Sequence, residues 1–100
     1  VSCTQAVRLI NNGAKIVDVR APERFEAGHI VDSINIPLNR LQDDQQLPKK
    51  SKTVVVVCDR GVASLRGVDV LRKAGFEHAY SLRGGVEGWT QENLPLVTGK

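Results

Sequence analysis

The sequence contains no methionine, only two cysteines and only four aromatic residues in 100. Each shortage excludes something. Cys3 and Cys58 stand far apart with no C-x-x-C pair, and His29 and His78 are not placed to supply a second pair of ligands. That disfavours a structural zinc site, which takes four Cys or His ligands at short paired spacings. A domain that needed disulfide staples would carry more cysteines, so reduced thiols are expected. The scarcity of aromatics, with basic residues interspersed rather than clustered, argues against nucleic acid as a partner. The nearest basic run, Lys49-Lys50-Ser51-Lys52, reads as a solvated turn. Long apolar runs are missing too. The longest, residues 54–58, is far short of the roughly 18 residues a transmembrane helix needs. No segment has the pattern of a secretory signal. The expected location is cytoplasmic. The absent initiator and the opening Val1-Ser2-Cys3 predict a piece of a longer chain, with room upstream for another domain or a membrane tether.

What is present is an ordinary soluble composition: 41% hydrophobic, 25% charged, and 14 Lys+Arg against 11 Asp+Glu for a net charge of +3. A chain of this length buries somewhat over ~60% of its unfolded surface, enough for one core. Residues 1–100 are therefore read as a single domain with a single site.

Hydrophobic periodicity alternates between helix and strand. Ser2 caps a helix over residues 2–12, Gln5 completes a capping box, and Asn12-Gly13 stops it. Ile16-Val17-Asp18-Val19 is a β-branched run, and Pro22 opens a short helix that ends at Gly28. Ser33-Ile34-Asn35-Ile36 alternates as a brief strand. A helix is expected over residues 38–46, with Leu38 and Leu41 as its apolar contacts. Residues 53–58 form the strongest strand, apolar on both faces, and so predict the centre of a parallel sheet covered on two sides. A helix follows Gly61 and closes at Arg72-Lys73 and Gly75. Residues 79–82 form a further short element, and Gly84-Gly85 leads into a last helix through Trp89. Short strands alternating with helices imply an α/β layer architecture with right-handed crossovers.

The chemistry concentrates in Cys58-Asp59-Arg60-Gly61-Val62-Ala63-Ser64, a thiol at the end of a buried strand, then a compact loop, then a helix. Ligands in open α/β sheets bind at that edge. Unpaired N–H groups at the helix start favour a negative charge in front of them, so the setting favours a thiolate or persulfide at Cys58. Gly61 lets the backbone turn tightly, and Arg60 and Arg66 add positive charge nearby. The bland alternative is a small buried apolar residue at a strand end.

Five segments in order resemble the single-domain rhodaneses: Ile16-Val17-Asp18-Val19-Arg20, Phe25-Glu26-Ala27-Gly28-His29-Ile30, Ser33-Ile34-Asn35-Ile36-Pro37, the Cys58 loop, and Leu82-Arg83-Gly84-Gly85-Val86-Glu87-Gly88-Trp89. The resemblance implies a rhodanese-like α/β fold, a mostly parallel five-stranded sheet with helices on both faces. It implies a sulfurtransferase in which Cys58 takes sulfane sulfur from thiosulfate or a persulfide donor, holds it as a cysteine persulfide, and passes it to cyanide, a thiol or an acceptor protein. Such chemistry requires no metal and no organic cofactor. Residues 58–63 correspond to the six-residue active-site loop, and Asp18 and Arg20 to loop anchors. His29 is read as a tie between backbone groups, Trp89 as a core or covering aromatic, and Cys3 as incidental.

One departure bears on substrate. The family pattern resembles C-x-x-G-x-R-S, and Ala63 stands where arginine is common. Thiosulfate turnover is therefore expected to be weak, and Arg60 is read either as a substitute anion contact or as a side chain pointing to solvent. A related fold that holds phosphate uses C-x5-R, but the residue at that spacing here is Ser64, which argues against a phosphatase. The remaining alternative is a non-catalytic protein-binding or regulatory module on the same scaffold.

Overall fold

The computed structural model describes residues 1–43 and 45–99. The chain runs α1 (Cys3–Asn11), β1 (Lys15–Asp18), α2 (Pro22–Ala27), β2 (Ile34–Asn35), a 3₁₀ segment (Leu38–Asp43), β3 (Val54–Val57), α3 (Ala63–Lys73), β4 (Ala79–Ser81) and α4 (Gly85–Gln91). Local chemistry accounts for the ends. Ser2 Oγ accepts the Gln5 N–H at 3.1 Å while Gln5 Oε1 accepts the Ser2 N–H at 2.9 Å, the reciprocal capping box that starts α1. Pro22 occupies the first turn of α2, where its missing N–H costs nothing.

All four strands are parallel, in the order β2-β1-β3-β4. Every residue of β3 is buried, as its unbroken valine run predicts for a central strand covered on both faces. Val54, Val56 and Cys58 point into one core with Val17, Val19, Leu41, Leu71 and Phe76, against α3 and the 3₁₀ segment. Val55 and Val57 point into the other with Ala6, Ile16, Leu82 and Trp89, against α1 and α4. Each fully buried valine is worth about 1.5–3 kcal/mol of transfer free energy, so β3 is the strand on which the fold most depends.

Two expectations are corrected. The sheet has four strands among the described residues, not five. Val1 makes the two backbone bonds of a single parallel bridge on the free edge of β4, donating to Ser81 O at 2.6 Å and accepting from Arg83 N at 2.7 Å. One residue of pairing is not a strand. The segment from Leu38 is 3₁₀ and ends at Asp43 instead of continuing as α-helix through Gln46. Its two buried-side leucines are three apart, the spacing that a three-residue turn eclipses onto one face.

Candidate functional site

In the order β2-β1-β3-β4 the chain leaves β1 toward one edge of the sheet and leaves β3 toward the other. The segments following these two strands therefore diverge and open a crevice at their carboxyl ends. A cleft of about 700 Å³ lies there. Val19 and Arg20 line it from the end of β1, the Cys58 loop from the end of β3, and Arg24, Leu38 and Arg66 from the flanking segments.

Cys58 is 4% exposed and is a free thiol. Its Sγ accepts the N–H of Gly61 at 3.0 Å and lies 3.4 Å from the hydroxyl oxygen of Ser64, to which the thiol donates. Gly61 reaches this position at φ +92, and a Cβ there would crowd the backbone N of Gly84 at 2.9 Å. The turn that aims an amide at the sulfur thus requires glycine.

The peptide of Cys58 is held from behind by α4. Val86 N–H donates to Cys58 O at 2.9 Å and Glu87 N–H to Asp59 O at 3.0 Å. Gly85 makes that approach with φ +60, and a Cβ would overlap the Cys58 carbonyl.

Asp18 and Arg20 form the buried support. Arg20 Nη2 and Nε meet the Asp18 carboxylate at 2.7 and 3.0 Å, and Nη2 also donates to Gly28 O at 2.7 Å. The Arg20 N–H donates to Asp18 Oδ1 at 3.0 Å. Burial works against the Arg20 charge, but hydrogen bonding and attraction from Asp18, joined by Asp59, outweigh it and raise its pKa above the ordinary value. Arg20 Nη1 lies 3.7 Å from Asp59 Oδ1, which also takes a 3.0 Å bond from Arg24 Nη2. The pair thereby links the end of β1 to the loop after β3.

The remaining loop residues divide by exposure. Asp59 faces the two arginines, while Arg60 is 79% exposed in its side chain and pairs with Glu87 at 3.2 Å. Val62 projects outward at 74% exposure. Ala63 lines the cleft as the first residue of α3, Arg66 lines it one turn on, and Ser64 is fully buried. Arg24 is the residue that motif reading missed. Its helix is 35 positions from Asp59, and only the crossover between β1 and β2 brings the two together. His29 does not join the thiol: its Nδ1 bonds to Phe25 O at 2.7 Å, its ring stacks on Phe25, and its backbone bridges Val97. Trp89 is a core residue whose Nε1–H donates to Pro95 O at 3.0 Å.

A buried sulfur with one amide N–H and one hydroxyl in contact, facing an arginine-rimmed cleft, is equipped for nucleophilic attack on an anionic substrate. Comparison with known proteins agrees with the sequence resemblance. Residues 2–92 match the family described as Rhodanese-like domain. The chain is 42% identical over 100 residues to the uncharacterized protein YibN of Escherichia coli K12, spanning 96% of this chain and 70% of that protein. It is 39% identical over 85 residues to the thiosulfate sulfurtransferase GlpE of Pseudomonas syringae, spanning 85% of this chain and 80% of that protein. The solved structure of the human single-domain sulfurtransferase TSTD1 superposes with a TM-score of 0.85 at 26% identity, over 92% of this chain and 95% of that one.

Proposed function

Because the chain belongs to the rhodanese-like domain family, we propose that it is a sulfurtransferase that works through a persulfide on Cys58. The observation that carries this reading is the 3.0 Å bond from the Gly61 amide to a sulfur that opens into the cleft. In the first half-reaction the Cys58 thiolate attacks the outer, sulfane sulfur of the donor. The donor S–S bond breaks and its electron pair leaves on sulfite, from thiosulfate, or on a thiolate, from a persulfide. Cys58 then carries Cys–S–S⁻. In the second, cyanide, a thiolate or a cysteine of an acceptor protein attacks the outer sulfur, and Cys58 departs as thiolate while thiocyanate or a new persulfide forms. No net oxidation is required.

The Gly61 amide already points at the sulfur and is placed to hold its negative charge, and the Ser64 hydroxyl can turn to donate to it once the thiol proton has left. Arg66 and Arg24 at the rim attract the anionic donor. With Ala63 the loop has no guanidinium at its α3 end, and its one arginine, Arg60, is exposed and paired with Glu87, so thiosulfate is held less tightly than by a family member with arginine at position 63. The supporting roles of Asp18 and Arg20 belong to the same proposal: they hold the loop and do not react.

Mass spectrometry tests the reading. Treatment with thiosulfate or a small persulfide adds one sulfur, about 32 Da, to Cys58 and none to Cys3. Cys58→Ser abolishes the addition while the far-ultraviolet circular dichroism is retained. A domain whose Cys58 takes up no sulfur and resists iodoacetamide is a binding module instead.

A further inference from the structure

The Ser81 side chain has no part in the half-reactions proposed at Cys58. It ends β4, on the neighbouring strand, and its hydroxyl oxygen lies 2.6 Å from that of Ser64, which in turn lies 3.4 Å from Cys58 Sγ. Ser64 is fully buried, whereas Ser81 is partly exposed and lines a second groove, of about 510 Å³, bounded by the far side of the loop and by Val68 and Tyr80. Cys58 does not line that groove. The three side chains thus span from the cleft where sulfur is handled to separate solvent.

We propose that Ser81 is a positioning residue that, through Ser64, carries the Cys58 proton to this second groove and orients both hydroxyls toward the sulfur. The inference rests on the reading of Cys58 as the nucleophile. Protonated, the chain runs S–H to Ser64 Oγ, Ser64 O–H to Ser81 Oγ, and Ser81 O–H to water. On ionisation the thiol proton moves to Ser64, the Ser64 proton to Ser81, and the Ser81 proton to water, so no proton is gained or lost by either serine. Both hydroxyls then donate in the opposite sense, Ser81 to Ser64 and Ser64 to the thiolate. The proton leaves without crossing the cleft that an anionic donor must enter.

Other charges surround the path. Arg20, Arg24, Asp59 and Arg66 share the cleft with Cys58, the Val1 amino group, Arg72, Tyr80 and Arg83 share the groove with Ser81, and Arg60 borders both. These are untouched by a Ser81 substitution, so a change in the titration of Cys58 isolates the hydroxyl.

The test is the pH dependence of Cys58 alkylation by iodoacetamide, followed by peptide mass spectrometry in the full chain. Ser81→Ala is expected to displace the alkylation profile to higher pH and slow the reaction about three- to tenfold at neutral pH, the effect of losing one oriented hydrogen bond. Ser81→Thr retains the hydroxyl and restores the profile. In a Ser64→Ala background Ser81→Ala adds nothing, because the path is already cut. The proposal is overturned by a Ser81→Ala profile that coincides with the parent, or by an effect that persists without Ser64. Sulfur uptake by Cys58 is read separately, so persistence of uptake with an unmoved profile rejects the relay and leaves the sulfurtransferase, whereas absence of uptake in the parent rejects the sulfurtransferase.

Discussion

The protein holds two buried free cysteines in opposite settings. Cys58 is 4% exposed at the carboxyl end of the central strand, with an amide N–H and a hydroxyl on its sulfur and arginines across the cleft. Cys3 is 8% exposed in the first turn of α1, packed into the core that contains Ala6 and Trp89, with Glu92 and Leu94 beside it. Burial pushes the Cys3 thiol above its ordinary value, and the Glu92 charge adds to this, against a smaller opposing pull from a backbone hydrogen bond. The contrast teaches that burial by itself silences a thiol. In the proposed reading Cys58 differs because the fold aims the Gly61 N–H at its sulfur.

The comparison breaks most severely at Asp18. Asp18→Ala leaves the buried Arg20 guanidinium without its main partner and is expected to cost about 3–5 kcal/mol of stability, read from urea unfolding. In the surviving folded protein Arg20, which faces Asp59 of the loop, is no longer held by Asp18, and the alkylation advantage expected of Cys58 over Cys3 shrinks. An unfolding midpoint equal to the parent's would show that the pair is not a structural anchor.

A gain on the Cys58 side sharpens the contrast. Ala63→Arg places a second guanidinium in the loop, beside the thiol, and is expected to lower the KM for thiosulfate about tenfold, the yield of one charge-assisted contact, while Cys3 alkylation is unchanged. An unaltered KM would mean that Arg66 and Arg24 already supply the anion contact.

The smallest effect lies at Cys3. Its raised folded value means that the unfolded chain ionises first as pH passes 9.0, so the contribution of the protonated thiol to stability is complete below that pH and is lost as pH rises toward the folded value. Cys3→Ala costs about 1 kcal/mol at neutral pH and flattens the decline between pH 8 and about 10, measured as thermal midpoints. A decline of the same steepness in the variant would assign it to another group.

Much of this was legible before any coordinates. The valine run predicts a central strand buried on both sides, Ser2 with Gln5 predicts the start of α1, and Cys58 through Ser64 reads as a loop between strand and helix, because periodicity, caps and tight turns act over a few neighbouring residues. The 3₁₀ segment was less legible, since leucines three apart suit either helix type and packing against α3 decides between them. The missing fifth strand was not legible, because a strand is defined by its partner and Val1 brings only one residue to the edge of β4.

From sequence alone came the alternating α/β order, the buried strand and the position of Cys58 at its end, all consequences of chemistry between close neighbours along the chain. Tertiary structure alone decided that Arg24 meets Asp59 and that Ser81 meets Ser64. Those contacts join residues brought together only by parallel crossovers, and hydrogen bonds and charges act through space at a few ångströms, whatever the separation in sequence.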